Sequence, residues 1–167
     1  INGMSKSYAM TGWRLGYAAG NEKIIKAMSS IQSHAVSHPS SITQYASAAA
    51  LNGPQDDLKR MVQEFSKRRN YMYERINSME GLSCIKPDGA FYVYVDISTY
   101  IGRNLCGIKL NSSLEFAQIV LEKGNVAVVP GTAFGTDNYI RLSYATSMET
   151  IKNGLDRFES FISNNIE

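Results

Sequence analysis

The sequence has few cysteines, a small net charge and no long apolar run. Its two cysteines, Cys84 and Cys106, lie outside any Cys-x-x-Cys pair or histidine-rich stretch, so neither a metal site nor a disulfide framework is expected. We therefore predict a reducing, cytoplasmic compartment. A formal net charge of +2 provides no broad basic field for nucleic acid. No apolar run approaches the roughly 20 residues that span a bilayer, so no membrane partner is expected.

The composition is otherwise typical of a folded protein. Hydrophobic residues make up 44% of the chain, close to the globular norm, so extended disorder is excluded. A length of 167 residues allows one domain, or one domain with part of another. The chain begins with Ile1 and enters a glycine-containing motif at once, so we expect a piece of a longer protein.

The first half of the chain is predicted to be helical after an irregular start. Repeated glycines over residues 1–20 indicate short strands and tight turns rather than helix. One helix should follow the cap Asn21 and fade near His34, and a second should end at Gly53. An amphipathic pattern over residues 58–76 then predicts a single helix of about 25 residues.

The second half mixes strands and helices. Strands are predicted at 82–85, 90–97, 126–129 and 139–144, and helices at 114–121 and 148–162. We interpret residues 98–113 as a long loop with few hydrophobic anchors. This order indicates an α+β lobe within an α/β protein, with a domain boundary near Gly53.

The first candidate functional residues are Lys6 and Arg14, which lie among small residues and turns where a ligand can approach the backbone. A lysine amine becomes a nucleophile in apolar or positively charged surroundings. A guanidinium donates two parallel hydrogen bonds to a phosphate or carboxylate. From residue types alone, two solvated surface charges are the commoner interpretation.

A resemblance to a known family favours a functional role for Lys6 and Arg14 over the interpretation as surface charges. The run from Ser5 to Gly16, Ser-Lys-x-x-x-Met-Thr-Gly-Trp-Arg-x-Gly, resembles the pyridoxal-phosphate attachment signature of class I, fold type I aminotransferases. The segments 128–135 and 139–145 resemble the substrate-carboxylate signature of the same family. Weaker matches at 87–92 and 38–44 lie between them, so the resemblance covers essentially the whole chain in the family's order.

The resemblance implies a role for four residues. Lys6 corresponds to the lysine that holds pyridoxal 5'-phosphate as an aldimine and then moves the proton at the substrate α-carbon. Arg14 corresponds to the arginine that pairs with the cofactor phosphate, and Arg141 to the one that binds the substrate α-carboxylate. Ser37 resembles a position that approaches the cofactor phosphate of a neighbouring subunit, which implies a homodimer.

Two positions depart from the family pattern. Gly3 stands where several relatives have a serine bonded to the phosphate, so that hydroxyl contact is missing or comes from elsewhere. His38 stands where asparagine is more usual beside the proline, which weakens the assignment of Ser37. Neither departure alters the family resemblance.

The resemblance also implies a domain plan. Residues 1–53 should be the tail of the large cofactor-binding domain, and residues 54–167 the linking helix and the small C-terminal domain of a pyridoxal-phosphate-dependent transferase fold. The family places the acidic partner of the cofactor ring upstream of the lysine. We therefore expect the isolated 167-residue chain to be inactive.

The leading functional prediction is an aminotransferase that moves an amino group from an amino acid, with aspartate favoured, to a 2-oxo acid in amino-acid biosynthesis. An aromatic or broad-range aminotransferase, or a carbon-sulfur lyase of the same fold, would use the same lysine and both arginines. A transcription regulator with an aminotransferase-like sensor domain and a non-catalytic dimerisation module are the alternatives from other classes. No metal is expected.

Overall fold

The computed structural model describes all residues from 1 to 167 and divides the chain into two compact units, Ile1–Val62 and Gln63–Glu167. The division falls inside a long helix, whereas the sequence places the domain boundary near Gly53. None of its helices has both the length and the apolar composition that a membrane span requires.

The first unit begins with short elements. These are β1 (Asn2–Gly3), the one-turn helix α1 (Met4–Ser7), a short 3-10 helix (Thr11–Trp13) and β2 (Gly16–Tyr17). Strands β1 and β2 pair antiparallel and bring Gly3 opposite Gly16. The prediction that residues 1–20 contain no helix was wrong, because a single turn is too short to produce a hydrophobic period.

Two longer helices follow and match their predictions. Helix α2 is Glu22–Ala35, and the Asn21 side chain accepts a hydrogen bond from the Lys23 amide at its start. Helix α3 is Ser41–Asn52 and ends where the Gly53 amide donates to the Ala49 carbonyl. The cap and the stop are both local sequence features, which explains why the bounds were predictable.

The long helix α4, Asp56–Asn77, also agrees with its prediction. The strands and helices beyond it are β3 (Ser83–Cys84), β4 (Tyr92–Asp96), β5 (Asn104–Leu105), β6 (Ile108–Lys109), α5 (Ser113–Glu122), β7 (Val129–Pro130), β8 (Tyr139–Ser143) and α6 (Met148–Asn165). Four of these strands form a sheet of order β3-β4-β8-β7, with every neighbouring pair antiparallel.

The two faces of this sheet differ. Val93 and Val95 of β4 and Ile140 and Leu142 of β8 are buried and belong to one core cluster. Alternate residues of both strands point to the opposite face, because successive side chains of a strand alternate. Buried residues of α4, α5 and α6 complete the core, so the second face of the sheet remains available for a site.

The stretch 98–113, predicted to be a loop with few anchors, is ordered and anchored. A 3-10 helix at Ser98–Tyr100 precedes the β5–β6 hairpin. Tyr100, Leu105 and Leu110 are buried in the core cluster. The hairpin turn places Cys106 and Gly107 at positive φ, a geometry that a Cys-Gly pair does not signal in the way that Asn-Gly does.

The predicted strand at 126–129 is also shorter than expected. Only Val129 and Pro130 pair with β8. Proline has no amide hydrogen to donate, so the ladder ends there.

Candidate active site

Lys6 lies on the one-turn helix α1. The helix is fixed by Met4, whose side chain is fully buried and whose amide donates to the Leu15 carbonyl at 3.1 Å. The Tyr8 hydroxyl donates to Gln55 Oε1 at 2.9 Å and ties the end of the turn to the start of α4. Lys6 itself is exposed on this anchored element.

Arg14 follows the 3-10 helix that packs against α1. It has φ 53° and ψ 51°, the left-handed region, and its Nη1 donates to the Thr11 carbonyl at 2.9 Å. A non-glycine residue held in this region is strained, by roughly 1 to 2 kcal/mol, and such strain often occurs at functional sites. The elements that precede Arg14 and carry Lys6 are therefore in contact.

Ser37 occupies a separate turn between α2 and α3. It is exposed and also has a positive φ, 61°, while its amide donates to the Gln32 carbonyl at 2.8 Å. Pro39 ends the turn, and its carbonyl accepts from Gln44 Nε2 at 2.8 Å. The turn is held in shape by its own backbone and by Gln44.

Arg141 lies in the second unit, at the centre of β8, opposite Tyr94 of β4 and Val129 of β7. Its side chain is half-buried on the sheet face away from the core. The guanidinium carbon is 4.2 Å from the centre of the Tyr92 ring and 4.4 Å from that of Phe134. No carboxylate of the chain forms an ion pair with it. A guanidinium in such surroundings can bind a carboxylate through two parallel hydrogen bonds.

The aromatic contacts of Arg141 were missed in the sequence. Tyr92 and Phe134 both lie in segments that resemble the family, but no role followed from the motif alone. The alternation of β4, Tyr-Val-Tyr-Val, was the available signal, because it puts Tyr92 and Tyr94 on the same face.

Comparison with known proteins identifies the family. The family model described as aminotransferase class I and II matches residues 1–158. Aspartate aminotransferase of Rhizobium meliloti is 48% identical over 161 residues, which is 96% of this chain and 39% of that protein. Aspartate aminotransferase of Bacillus subtilis is 45% identical over 162 residues, 97% of this chain and 40% of that protein.

Solved structures agree. The crystal structure of the aspartate aminotransferase from Rhizobium meliloti superposes with a TM-score of 0.92 at 44% identity, and covers 99% of this chain and 42% of its own. The aromatic aminotransferase from Pyrococcus horikoshii gives a TM-score of 0.86 at 37% identity, covering 98% and 42%. The chain thus spans about two fifths of the length of the relatives it matches.

The resemblance and the fold class predicted from the sequence are confirmed, since the neighbours share the C-terminal part of a pyridoxal-phosphate-dependent transferase fold. The aminotransferase names of these relatives do not favour the lyase or regulator alternatives. The cofactor prediction follows from the family, whose enzymes use pyridoxal 5'-phosphate. On the match over residues 1–158, the chain belongs to the class I and II aminotransferases.

Proposed function

We propose that a protein of the relatives' length that carries this segment transfers the amino group of aspartate to a 2-oxo acid. The observation that carries the proposal is the family match over residues 1–158, which includes the motifs of both Lys6 and Arg141. Relatives named aspartate aminotransferase, 43 to 48% identical, support aspartate as the donor.

The donor set of the first unit fits pyridoxal 5'-phosphate. Lys6 offers a primary amine, a group that condenses with an aldehyde, and Arg14 offers a guanidinium suited to a phosphate. Gly3 leaves little room for a larger residue, because a Cβ there would lie 3.3 Å from the Leu15 carbonyl oxygen. Gly3 lies opposite Gly16 in the β1–β2 pair.

In the mechanism that we propose, each residue has one task. Lys6 would hold the cofactor through its amine, and the same amine would move a proton at the substrate α-carbon. Arg14 binds the phosphate, with Ser37 contributing to the phosphate site of a partner subunit in a homodimer. Arg141 orients the substrate through its α-carboxylate. Bound pyridoxal phosphate supplies the electron sink for the bond that breaks at the α-carbon.

The domain plan is part of the proposal. We assign residues 1–53 to the tail of the cofactor-binding domain and residues 54–167 to the linking helix and small domain. Free Cys84 and Cys106 suit the cytoplasm, where thiols stay reduced. Amino-acid biosynthesis is the pathway class that such a transfer serves.

Labelling tests the role of Lys6. Borohydride reduction of the full-length protein with its cofactor should fix the label on Lys6, mapped by peptide mass spectrometry. Lys6→Ala should abolish both the label and transamination, whereas the matched variant Lys23→Ala, on helix α2, should keep them. A label on Lys23 or Lys26 would contradict the proposal. The same assay on the 167-residue chain tests its expected inactivity.

Substitutions of the two arginines should affect different properties of the enzyme. Arg141→Ala should raise KM for the amino acid and the oxo acid together while the bound cofactor's spectrum persists, and Arg14→Ala should weaken cofactor retention. Truncating one partner of a buried charge pair costs about 2 to 5 kcal/mol, so a KM increase of 30-fold or more is expected. Cofactor loss from Arg141→Ala with retention in Arg14→Ala would reverse the two roles.

Prephenate is a second candidate amino acceptor. An aspartate/prephenate aminotransferase of Nitrosomonas europaea is 47% identical over 165 residues. A transamination assay with prephenate in place of a simple 2-oxo acid decides whether the full-length protein also accepts prephenate.

A further inference from the structure

The guanidinium of Arg141 is held by two aromatic rings that differ in their support. Tyr92 belongs to strand β4, opposite Ser143 of β8, so the sheet fixes its position. Phe134 instead ends the 3-10 helix Gly131–Phe134 in the connection between β7 and β8, and 47% of its surface is exposed. The position of Phe134 therefore depends on what holds that connection.

Tyr94 holds the connection from the sheet side. Its hydroxyl shares a hydrogen bond with the Thr136 hydroxyl and donates to the Gly131 carbonyl at 3.4 Å. Its ring meets Phe134 edge-on, with centroids 6.1 Å apart, and stacks on Tyr139 at 4.9 Å. The Tyr94 side chain thus contacts both ends of the turn and also the Phe134 ring, which the turn carries.

Ser113, a fully buried serine at the start of α5, holds the other side of the connection by hydrogen bonds. Its hydroxyl accepts from the Thr132 amide at 3.3 Å and donates to Asp137 Oδ1 at 2.8 Å. Gly131 fits so closely that a Cβ there would lie 2.1 Å from the Thr136 carbonyl oxygen. These hydrogen bonds and the close packing at Gly131 therefore fix the conformation of the turn.

We propose that Tyr92 and Phe134 fix the guanidinium of Arg141 for carboxylate binding, and that Tyr94 is the positioning residue that holds Phe134 in place. We call Arg141, Tyr92, Phe134 and Tyr94 the arginine clamp. A cation that contacts two rings at once loses one contact in most other rotamers, so its donors stay aimed in one direction. The inference rests on the proposed carboxylate role of Arg141.

Kinetics of the full-length enzyme test the clamp. Tyr94→Phe removes the hydroxyl and keeps the ring, so KM for both substrates should rise about fivefold, as expected for a lost hydrogen bond of about 1 kcal/mol, with kcat and the cofactor spectrum unchanged. Thr136→Val removes the same bond from its other end and should give the same rise, and the double variant should add little. Phe134→Leu should raise KM about tenfold, within the range of a cation–π contact.

Tyr139→Phe is the matched control, because the Tyr139 hydroxyl bonds to Asp96 and not to the turn. It should leave KM unchanged. A Tyr94→Phe enzyme with unchanged KM, or one whose kcat falls while KM does not move, would overturn the proposal.

A second readout needs neither cofactor nor activity. In the 167-residue chain labelled with 15N-arginine, the Arg141 Nε–Hε signal, assigned with Arg141→Lys, should be displaced by the ring currents. The displacement should shrink in Phe134→Leu and Tyr94→Phe, and remain in Tyr139→Phe. An Arg141 signal that is the same in all four proteins overturns the clamp. Because this comparison does not use transamination, it decides the clamp even if the proposed function fails.

Discussion

The two compact units of the chain bury apolar side chains to very different degrees. Met4 is the one buried apolar residue of Ile1–Val62, whereas all the other buried apolar residues lie in Gln63–Glu167. Helix α2 shows the contrast most clearly, because Ile24, Met28 and Ile31 form an i, i+4, i+7 stripe and are 60%, 44% and 71% exposed. The second unit is thus stabilised by its own core, and the first by local hydrogen bonds and caps.

Each unit has one buried side-chain polar atom without a hydrogen-bond partner, Ser47 Oγ in the first and Arg68 Nε in the second, but their buried serines differ. In α3 the buried residues are Thr43 and Ser47, and the Ser47 hydroxyl has no hydrogen-bond partner. In the second unit, by contrast, buried Ser113 is fully bonded to Asp137 and Thr132. A site residue on the second unit therefore has a rigid support, while Lys6 and Arg14 depend on a short, locally fixed segment.

The largest expected effect is at Phe158, which is fully buried and packs edge-on against Phe116 with centroids 6.2 Å apart. Phe158→Ala should lower the free energy of unfolding by about 3 to 5 kcal/mol, because it removes transfer energy and leaves a cavity. The matched change in the first unit, Ile31→Ala, should stay within about 0.5 kcal/mol. Urea unfolding measures both changes, with tyrosine near-UV circular dichroism for Phe158→Ala and tryptophan fluorescence for Ile31→Ala.

Trp13 is the single tryptophan and lies in the first unit, so its fluorescence reports that unit separately. A loss at Ile31→Ala as large as that at Phe158→Ala would mean that the first unit has a core of its own.

How well each element could be predicted from the sequence depends on whether local or distant contacts fix it. Helices α2 and α6 were predictable because Asn21 and Ser147 are local caps whose side chains accept from amides two and three residues on. The hairpin at Cys106-Gly107 and the one-turn helix of Lys6 were not, because their geometry is imposed by contacts distant in sequence. The motif named Lys6, Arg14 and Arg141 as candidates, but no local pattern brings Phe134 against Arg141.

Gly131→Ala should give the second largest effect. A Cβ there would lie 2.1 Å from the Thr136 carbonyl oxygen and 2.5 Å from that of Tyr139. Both are backbone atoms, so the turn must move, at a cost of about 3 kcal/mol. At Gly12, in the first unit, no atom lies within 4 Å of the added carbon, and Gly12→Ala should change stability by less than about 0.5 kcal/mol. Thermal unfolding compares the two, and equal losses would contradict the close fit of the turn.

Alkaline pH should weaken the second unit. Burial raises the pKa of Tyr144 and of Tyr100 above the ordinary value of 10.0. A raised pKa means that the folded state holds the proton more tightly, so this contribution to stability is complete below pH 10 and is lost as the pH rises through the folded value. The urea midpoint should therefore fall as the pH is raised above 10.0.

Replacing the buried tyrosine should remove part of that fall. Tyr144→Phe gives up the hydrogen bond to the Ala90 carbonyl at 3.0 Å, which lowers stability at neutral pH, but the midpoint should then depend less on pH. Tyr45→Phe, at an 81% exposed position of the first unit, should leave the pH dependence unchanged. Identical pH profiles for Tyr144→Phe and the unchanged chain would show that the buried phenol does not contribute.

The smallest expected effects concern helix propensity. Gly154 lies inside α6 with no atom within 4 Å of an added Cβ, so Gly154→Ala should stabilise the chain by about 1 kcal/mol. Ser29→Ala in α2, also inside a helix and exposed, should gain up to about 0.5 kcal/mol by the same reasoning. If the units unfold separately, as the uneven burial predicts, Trp13 fluorescence shows the gain from Ser29→Ala and not the gain from Gly154→Ala, which appears in the tyrosine signal. A gain from Gly154→Ala that also appears in Trp13 fluorescence would instead show one cooperative transition, and the difference in burial would then have no counterpart in the unfolding of the chain.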